Sequence, residues 1–482
     1  MTDPDDAYRA GMAALATGEE EAALRRLEAA REAHPGDARL WHVSALLHRA
    51  LGDLAPAVPC SEKAAALAPL DFGIAHLRAR IAFEAGLPAV QLYERALRIE
   101  QRDSARLGLI EALQQEQGPG AAAARLDRML AADPEWIEGH SYRAQLASSA
   151  GQPERIAAAF ERALAAAPRN VLLWRELIIT LIRAVRFEEA LAAIARARTA
   201  AGPQPTFDAN EAVCLDELGD HLGAERLFAP LAGADEVDFT VRRARNALRL
   251  GRPEAAAAML EPKLASDAPE VAPYLATAWR LCDEPRWQWL EGDERLVSVQ
   301  DIGLPAGLIE RVRALHTAIA EPLHQSVRGG TQTEGHLLAR IEPEIQDLRR
   351  LLAAAAARHI AQLPAPDPNH PTLGKRRDAP VRFSGSWSVR LTDSGHHANH
   401  FHPEGWLSSA FYLAVPEAAA GQQGWLKLGE PQADLGLALP PTRLIEPRPG
   451  RLVLFPSTMW HGTVPFAAGE RLTVAFDVAA PR

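Results

Sequence analysis

The sequence predicts a multidomain α + β protein, in which an N-terminal all-α solenoid precedes a C-terminal β domain with supporting helices. The first half of the chain is rich in Ala, Leu, Arg and Glu, which favour helices. The last hundred or so residues are rich in Gly, Pro, Val, Thr and aromatic residues, which suit strands and turns. Seven of the ten tryptophans follow residue 270. Two architectures are therefore joined in one chain of 482 residues, a length that exceeds a single core.

Charge and composition exclude several classes of function. The formal charge is −10, and no cluster of Lys and Arg is dense enough to bind nucleic acid or a membrane surface. No stretch reaches the length of apolar sequence that a membrane span needs, and the acidic N-terminus has no apolar signal core. The three cysteines match no metal-binding spacing, which favours a reducing compartment. We expect a cytoplasmic protein that binds neither nucleic acid nor membrane.

A repeat of 34 residues organises the region 1–265. Five positions of the first unit recur in the second, namely Gly18, Ala23, Leu27, Ala30 and Pro35, then Gly52, Ala57, Ser61, Ala64 and Pro69. Small residues let paired helices approach closely, and each unit buries its apolar face by stacking on the next. The spacing resembles the tetratricopeptide repeat, which implies a groove that binds a protein or peptide. A non-repetitive helical bundle, or an array that serves only dimerisation or support, is the alternative.

The region 266–364 stays helical without the repeat, and we expect it to connect the array to the next domain and to form that domain's N-terminal part. Trp279, Trp287 and Trp289 are expected to seal the end of the solenoid. A polar loop in this region is either a well-capped turn or part of an anionic pocket; its candidate ligand-binding residues are Gln325, Arg328, Thr331 and Gln332. The segment 365–380 is rich in proline, which predicts a linker or lid.

The region 381–482 carries the pattern that points to metal chemistry. Alternation predicts strands near residues 386–391, 406–413, 452–455 and 469–478. His400 and His402 are two residues apart, so their side chains share one face of a strand and can bind one metal ion. His461, after the third of these strands, is suited to be the third ligand. Arg471, ten residues later, can clamp a carboxylate with two hydrogen bonds.

Another ligand register stays open in the same segment. His402 and Glu404 form a His-x-Glu pair, which would make Glu404 the carboxylate ligand. Pro403 and Gly405 favour the pair His400 and His402, because they indicate that the strand has turned by that point. His397 is a further candidate ligand.

Two close ligands, a distal histidine and a following arginine resemble the double-stranded β-helix (jelly-roll) Fe(II)/2-oxoglutarate-dependent oxygenases. The segments around His400, Tyr412 and residues 450–461 look most like bacterial members of the prolyl-hydroxylase-like branch, some of which are fused to tetratricopeptide repeats. The resemblance implies a hydroxylase that uses Fe(II), 2-oxoglutarate and O₂. It implies that Arg471, Thr473 and Tyr412 bind 2-oxoglutarate, and that Arg390 points into the mouth of the barrel.

The sequence departs from that family at one metal-ligand position, and it leaves the substrate and the type of activity open. The usual ligand set is His-x-Asp/Glu followed by a distal His, whereas His402 replaces the carboxylate here. The repeat array suggests a protein or peptide as the substrate. The alternatives are a cupin-type metalloenzyme that does not use 2-oxoglutarate, and a scaffold without catalysis whose repeats bind a protein partner.

Overall fold

The structure is a computed structural model that describes residues 3–231, 236–266, 268–321, 323, 325–416 and 421–481. No helix among these residues is both long and apolar enough to cross a membrane. The repeat array contains the helices α1 (Pro4–Thr17), α2 (Glu20–Ala33), α3 (Ala38–Ala50), α4 (Leu54–Leu67), α5 (Phe72–Glu84), α6 (Val90–Ile99), α7 (Asp103–Gln117), α8 (Pro119–Ala132), α9 (Ile137–Ser149), α10 (Ala158–Ala166), α11 (Val171–Arg183), α12 (Phe187–Ala201), α13 (Pro205–Glu217), α14 (His221–Phe228), α15 (Val237–Arg249), α16 (Pro253–Ala265) and α17 (Ala272–Leu281).

The helices of the array form a tetratricopeptide-type solenoid, as the sequence predicts. Short turns join consecutive helices, which pack in pairs, and each pair packs on the next. The indole nitrogen of Trp41 donates a hydrogen bond to the carbonyl of Pro35 at 3.0 Å, and that of Trp174 donates to Pro168 at 2.8 Å. The same contact thus recurs at the same position of two units.

The array extends beyond residue 265, where the sequence predicts its end. Helix α17 packs against α15 and α16. Leu275 and Trp279 share a core with Leu248 and Leu260 of the preceding pair. The 34-residue period is lost at α17, but the packing of the solenoid continues through it.

The C-terminal domain is built from nine described strands in two antiparallel sheets. The strands are β1 (Ser298–Asp301), β2 (Val327–Gln332), β3 (Phe383–His397), β4 (Leu407–Ala414), β5 (Leu426–Leu428), β6 (Arg443–Ile445), β7 (Arg451–Pro456), β8 (His461–Thr463) and β9 (Glu470–Val478). The larger sheet has the order β1-β7-β4-β9-β3-β2, and the smaller has the order β6-β5-β8. Side chains of both sheets line one cavity, so the sheets face each other as in the predicted double-stranded β-helix.

Two supporting helices, α18 (Leu308–Ala314) and α19 (Pro343–Gln362), cover the outer face of the larger sheet. Leu348 and Leu352 of α19 share a core with Phe411, Val474 and Phe476. The apolar side of each central strand therefore faces the helices, and the side that carries polar residues faces the cavity.

Two segments differ from their predicted form. The polar segment expected to be a loop contains β2, which pairs with β3; Gly329 has a φ of 65°, and the strand register shifts there. The proline-rich segment 365–380 packs against the domain instead of forming a loose linker or lid. Its Thr372 carbonyl accepts a hydrogen bond at 2.8 Å from the Trp406 indole, and His370 is buried.

The turns that follow the first helix of several pairs form an edge of the solenoid, and the C-terminal domain lies against this edge. The guanidinium of Arg349 donates to the carbonyls of Leu51 and Gly52 at 2.7 and 2.6 Å, just after α3. The amide of Ile341 donates to the carbonyl of Ala85, after α5, at 3.3 Å. A cation at a helix C-terminus satisfies free carbonyls and matches the helix dipole. The array is thus bound along this edge by its own chain.

The last helix of the array packs directly behind the segments that carry the three histidines. The ring of Tyr274 in α17 lies 5.1 Å from Trp460 and 6.0 Å from Phe401, measured between ring centroids. The Trp460 indole also donates to the carbonyl of Pro273 at 3.0 Å. Phe401 stands between two of the predicted metal ligands and Trp460 precedes the third, so α17 forms the back wall of the site.

Candidate metal and co-substrate site

Strand β9 carries the charged residues of the site on one face. Arg471, Thr473 and Ala475 line the cavity between the sheets. Asp477 continues the alternation and contacts His402. The residues between them are apolar and lie in the core under the sheet. The period of two in a strand therefore aligns a cation and an anion, six residues apart, on the face that looks into the barrel.

Three histidines converge in this cavity. A ring nitrogen from each of His400, His402 and His461 lies within 4.8 Å of the other two. The amide of His400 donates to the carbonyl of His461 at 2.9 Å, and the reverse hydrogen bond measures 2.8 Å. The amide of His402 donates to the carbonyl of Ser457 at 2.9 Å. Backbone pairing thus brings together the three residues that the sequence nominates as ligands.

Each of the three imidazoles has one nitrogen engaged by an oxygen acceptor. The Nδ1 atoms of His400 and His461 lie 2.9 and 3.0 Å from the carbonyls of Ala398 and Met459. The Nδ1 atom of His402 lies 2.8 Å from the Asp477 carboxylate. Such acceptors fix the tautomer in which Nδ1 carries the proton and Nε2 has a free lone pair. These residues therefore fit a metal ion held by three Nε2 atoms.

Burial keeps the imidazoles of His400 and His461 neutral. It lowers the pKa of His400 to about 3, with a further contribution from the nearby His402. Burial and the neighbouring histidines also hold the pKa of His461 well below its usual value. A neutral imidazole is the form that binds a metal ion, so these two residues need not lose a proton at physiological pH.

The alternative ligands lie in different surroundings. Glu404 is exposed in a turn and is not part of the histidine cluster. His397 lines the cavity, but its ring lies 5.8 Å from that of His400, and its Nδ1 atom lies 3.0 Å from the Ser326 hydroxyl. The geometry therefore favours His402 over Glu404 as the companion of His400, and it puts His397 beside the cluster.

Arg471 is a buried cation that faces the cavity without an anionic partner. Its side chain is 2% exposed, its Nε atom has no hydrogen-bond partner, and no carboxylate of the described residues pairs with it. The guanidinium carbon lies 5.0 Å from the ring centroid of Tyr412, and burial lowers the pKa of Arg471. A buried unpaired cation is costly. Its position suits a ligand that carries a carboxylate, and Thr473 lines the cavity beside it.

The remaining candidate residues divide into two groups. Gln325 and Gln332 line the cavity. Arg328 instead donates to the carbonyls of Gln325 and Val327 at 2.7 and 2.8 Å. Thr331 faces outward, where its hydroxyl lies 2.8 Å from Nδ1 of His316.

The expectation that Arg390 points into the barrel mouth is wrong. Its guanidinium pairs with Glu470 at 2.7 Å and is 41% exposed. Trp387 on the same strand lines the cavity. Arg390 is an odd number of residues from Trp387, so the alternation of β3 turns it to the outer face.

Sequence reasoning missed several polar residues around the histidines. Asp477 and Ser408 contact His402, and Ser326 lies 3.2 Å from Nε2 of His400. A signal for Asp477 was present, since it lies an even number of residues from Arg471 and Thr473 on a predicted strand and therefore shares their face. Ser326 had none, because its position depends on the pairing of β2 with the distant β3.

Comparison with known families agrees with the geometry of the C-terminal domain. Residues 385–477 match the family described as "Putative 2OG-Fe(II) oxygenase". The matched segment runs from β3 to β9 and contains the three histidines and Arg471. No curated protein sequence matches the chain.

The chain is also similar to solved structures. One is a tetratricopeptide repeat protein from Parabacteroides merdae, at 17% identity and a TM-score of 0.29, over 50% of this chain and 96% of that one. Another is yeast Tom70, at 16% identity and a TM-score of 0.37, over 61% of this chain and 66% of that one.

Proposed function

We propose that the C-terminal domain is an Fe(II)/2-oxoglutarate-dependent dioxygenase that hydroxylates a protein or peptide side chain. The observation that carries this proposal is the pairing, in one cavity, of a histidine triad with the unpaired buried Arg471. A metal ion alone would not need a buried cation nearby. A dicarboxylate that binds the metal at one end and a guanidinium at the other uses both. The match of residues 385–477 to the oxygenase family supports the same reading.

The residues of the chain have distinct tasks in this function. His400, His402 and His461 would hold Fe(II) through their Nε2 atoms and leave the remaining coordination positions to ligands. Arg471 would bind the distal carboxylate of 2-oxoglutarate, Thr473 would donate its hydroxyl to that carboxylate, and Tyr412 packs beside the guanidinium. The iron and 2-oxoglutarate supply the oxidation of a C–H bond: 2-oxoglutarate, O₂ and R–H give succinate, CO₂ and R–OH.

The barrel walls limit the access of water to this chemistry. Trp387 and Phe455 line the cavity beside the histidines, and the ring of Phe455 lies 4.8 Å from that of His461. The polar residues of the preceding segment at the cavity are Ser326, which lies beside His400, and the two amide side chains of Gln325 and Gln332. The two amides are the candidates to contact a substrate amide.

The repeat array would recruit the substrate through the part of its surface that its own chain leaves exposed. Among the described residues of the array, the exposed large apolar side chains are those of Met12, Leu70, Leu172, Val185, Leu218 and Leu222. Four of these six lie between residues 171 and 228, in two consecutive units. Exposed apolar side chains on consecutive units of a solenoid are the candidates to contact a protein partner.

The first experiment is an anaerobic titration of the Fe(II)-loaded protein with 2-oxoglutarate. We expect the weak visible charge-transfer band of a ferrous 2-oxo acid chelate, and succinate formation once O₂ is admitted. Iron binding without the band would favour a metalloenzyme that does not use 2-oxoglutarate. Failure to bind iron would favour a scaffold whose repeats are the working part.

A matched pair of variants tests recruitment. Leu172→Asp combined with Leu222→Asp should lower the turnover of a protein substrate that the array recruits. Succinate formation in the absence of that protein substrate should stay unchanged. Leu70→Asp, at an exposed leucine of the array outside this stretch, is the control. Equal turnover by both variants would remove α11–α14 from the proposal.

A further inference from the structure

Asp477 is a buried carboxylate that pairs with no Lys or Arg among the described residues. It is 8% exposed, and among the described residues its ion-pair partner is His402, with no Lys or Arg. Its Oδ1 atom accepts hydrogen bonds from Nδ1 of His402 at 2.8 Å and from the Ser408 hydroxyl at 2.7 Å. A buried anion of this kind is costly unless a positive charge lies close by.

The ligand set beside it lacks a negative charge. Oxygenases with a His-x-Asp/Glu pair have a carboxylate as one ligand, and His402 stands at that position here. The metal would therefore carry one unit more of positive charge than in a site with two histidines and a carboxylate. The excess charge of the metal and the uncompensated charge of Asp477 lie on opposite sides of one imidazole ring.

We propose that Asp477 is a positioning residue that supplies the missing negative charge to the metal through His402. This inference rests on the proposed function, because it assigns a task within the same iron site. A carboxylate that accepts the Nδ1 proton makes the imidazole a stronger donor and fixes its ring. A nearby negative charge stabilises Fe(III) more than Fe(II), so Asp477 lowers the reduction potential of the iron.

The surroundings of Asp477 hold it in the orientation that this task requires. Ser408 lies directly opposite Asp477 in the pairing of β4 with β9. The Ser408 hydroxyl also lies 3.0 Å from that of Ser457, whose carbonyl accepts the amide of His402. Gly405 leaves room for this cluster, because an added Cβ would lie 3.1 Å from the Cβ of Asp477 and 2.5 Å from the Ser457 hydroxyl. The carboxylate is part of a packed network and not a mobile side chain.

The experiment compares Asp477→Asn with the parent in the full-length protein. Asparagine keeps an acceptor oxygen of the same reach but removes the charge. We expect Fe(II) binding, measured by competition with a chelator, to weaken about 10- to 100-fold. We also expect the midpoint potential of Fe(III)/Fe(II) to rise by about 59 mV for each tenfold change in the ratio of ferric to ferrous affinity. Affinity and potential equal to the parent's would overturn the proposal.

Three further variants make the result specific. Asp477→Glu keeps the charge, so its potential should stay closer to the parent's even if the longer side chain weakens binding. Glu404→Gln removes the same charge from an exposed turn two residues after His402 and should change neither quantity. If Asp477→Asn does not fold, Asp477→Ser gives an uncharged comparison of smaller size.

The two proposals fail in different ways. A parent protein that binds iron but forms no succinate would refute the oxygenase, while affinity and potential would still report on Asp477. A parent that forms succinate, with unchanged affinity and potential in Asp477→Asn, would refute only the role of Asp477.

Discussion

Arg471 and Asp477 lie on the same face of β9 and carry opposite charges. Neither forms a salt bridge with an oppositely charged Lys, Arg, Asp or Glu among the described residues. Among the described residues, Arg471 has no carboxylate beside it and Asp477 has no Lys or Arg. Six residues of extended strand separate their Cα atoms by roughly 20 Å. One strand thus prepares two electrostatic environments, one for an anionic co-substrate and one for a metal ion.

Replacing Arg471 should weaken co-substrate binding without loss of the metal. Arg471→Ala removes the buried guanidinium, and the loss of one partner of a buried charge pair costs about 2–5 kcal/mol. We expect the KM for 2-oxoglutarate to rise at least about 30-fold, with Co(II) binding unchanged. Arg471→Lys, which keeps the charge but loses the planar fork, should fall in between. An unchanged KM in the alanine variant would exclude Arg471 from this role.

Replacing His461 should abolish metal binding. His461→Ala removes one of three converging nitrogens while the backbone pairing with His400 can persist. Titration with Co(II), followed by its visible spectrum, should find no tight site in the variant, and circular dichroism should find the helices intact. His396→Ala, at a histidine outside the cluster, should bind Co(II) as the parent does. Full occupancy in His461→Ala would mean that the ligand set is different.

The α17 back wall should contribute to both stability and metal binding. Tyr274→Ala leaves a void against Phe401 and Trp460, and losses of about 3–5 kcal/mol are typical when a large buried aromatic residue is truncated. We expect a lower Tm and weaker Co(II) binding. Tyr274→Phe keeps the ring and loses the contacts of its hydroxyl with Arg245 at 3.1 Å and with the side-chain oxygen of Gln432 at 3.4 Å, so it should bind Co(II) nearly as the parent does. Unchanged Co(II) affinity in the alanine variant would mean that the wall does not hold the ligands.

Glu291 should make the stability of the protein depend on pH. Burial raises its pKa from 4.5 to about 8, and its Oε1 atom has no hydrogen-bond partner among the described residues. Because the folded state binds the proton more tightly than the unfolded state, stability is full below about pH 4.5 and falls by about 1.4 kcal/mol per pH unit up to about pH 8. Glu291→Gln should therefore have a higher Tm than the parent at pH 8 and the same Tm near pH 4.5. A difference in Tm that did not grow with pH would contradict this reading.

The sequence predicted the parts of the molecule that have a local signal. The repeat was visible because Ala30 and Ala64 occupy equivalent positions in successive units. The histidine pair was visible because extended backbone places alternate residues on one face, although His400 and His402 lie between β3 and β4 and not on a strand. The strands β5, β6 and β8 have three residues each, too few for a period to appear. Arg390 was assigned to the wrong face, although its distance from Trp387 in β3 carried the information.

Contacts between remote parts of the chain could not be predicted from one sequence. The hydrogen bonds of Arg349 with residues 51 and 52 join segments almost 300 positions apart. The packing of Tyr274 against Trp460 is of the same kind. Such contacts depend on how the two domains pack against each other. The sequence periodicity within either domain does not predict that packing.

The position of α17 makes the C-terminal domain a poor candidate for modular exchange. A fragment that began after the last repeat would lose the helix that covers Phe401 and Trp460, and both rings would meet water. Fusing the C-terminal domain to another repeat array would require that α17, and the pair of helices on which it packs, be included in the transferred fragment. The point at which this chain could be divided into two transferable parts thus lies within the solenoid, before the first strand of the barrel.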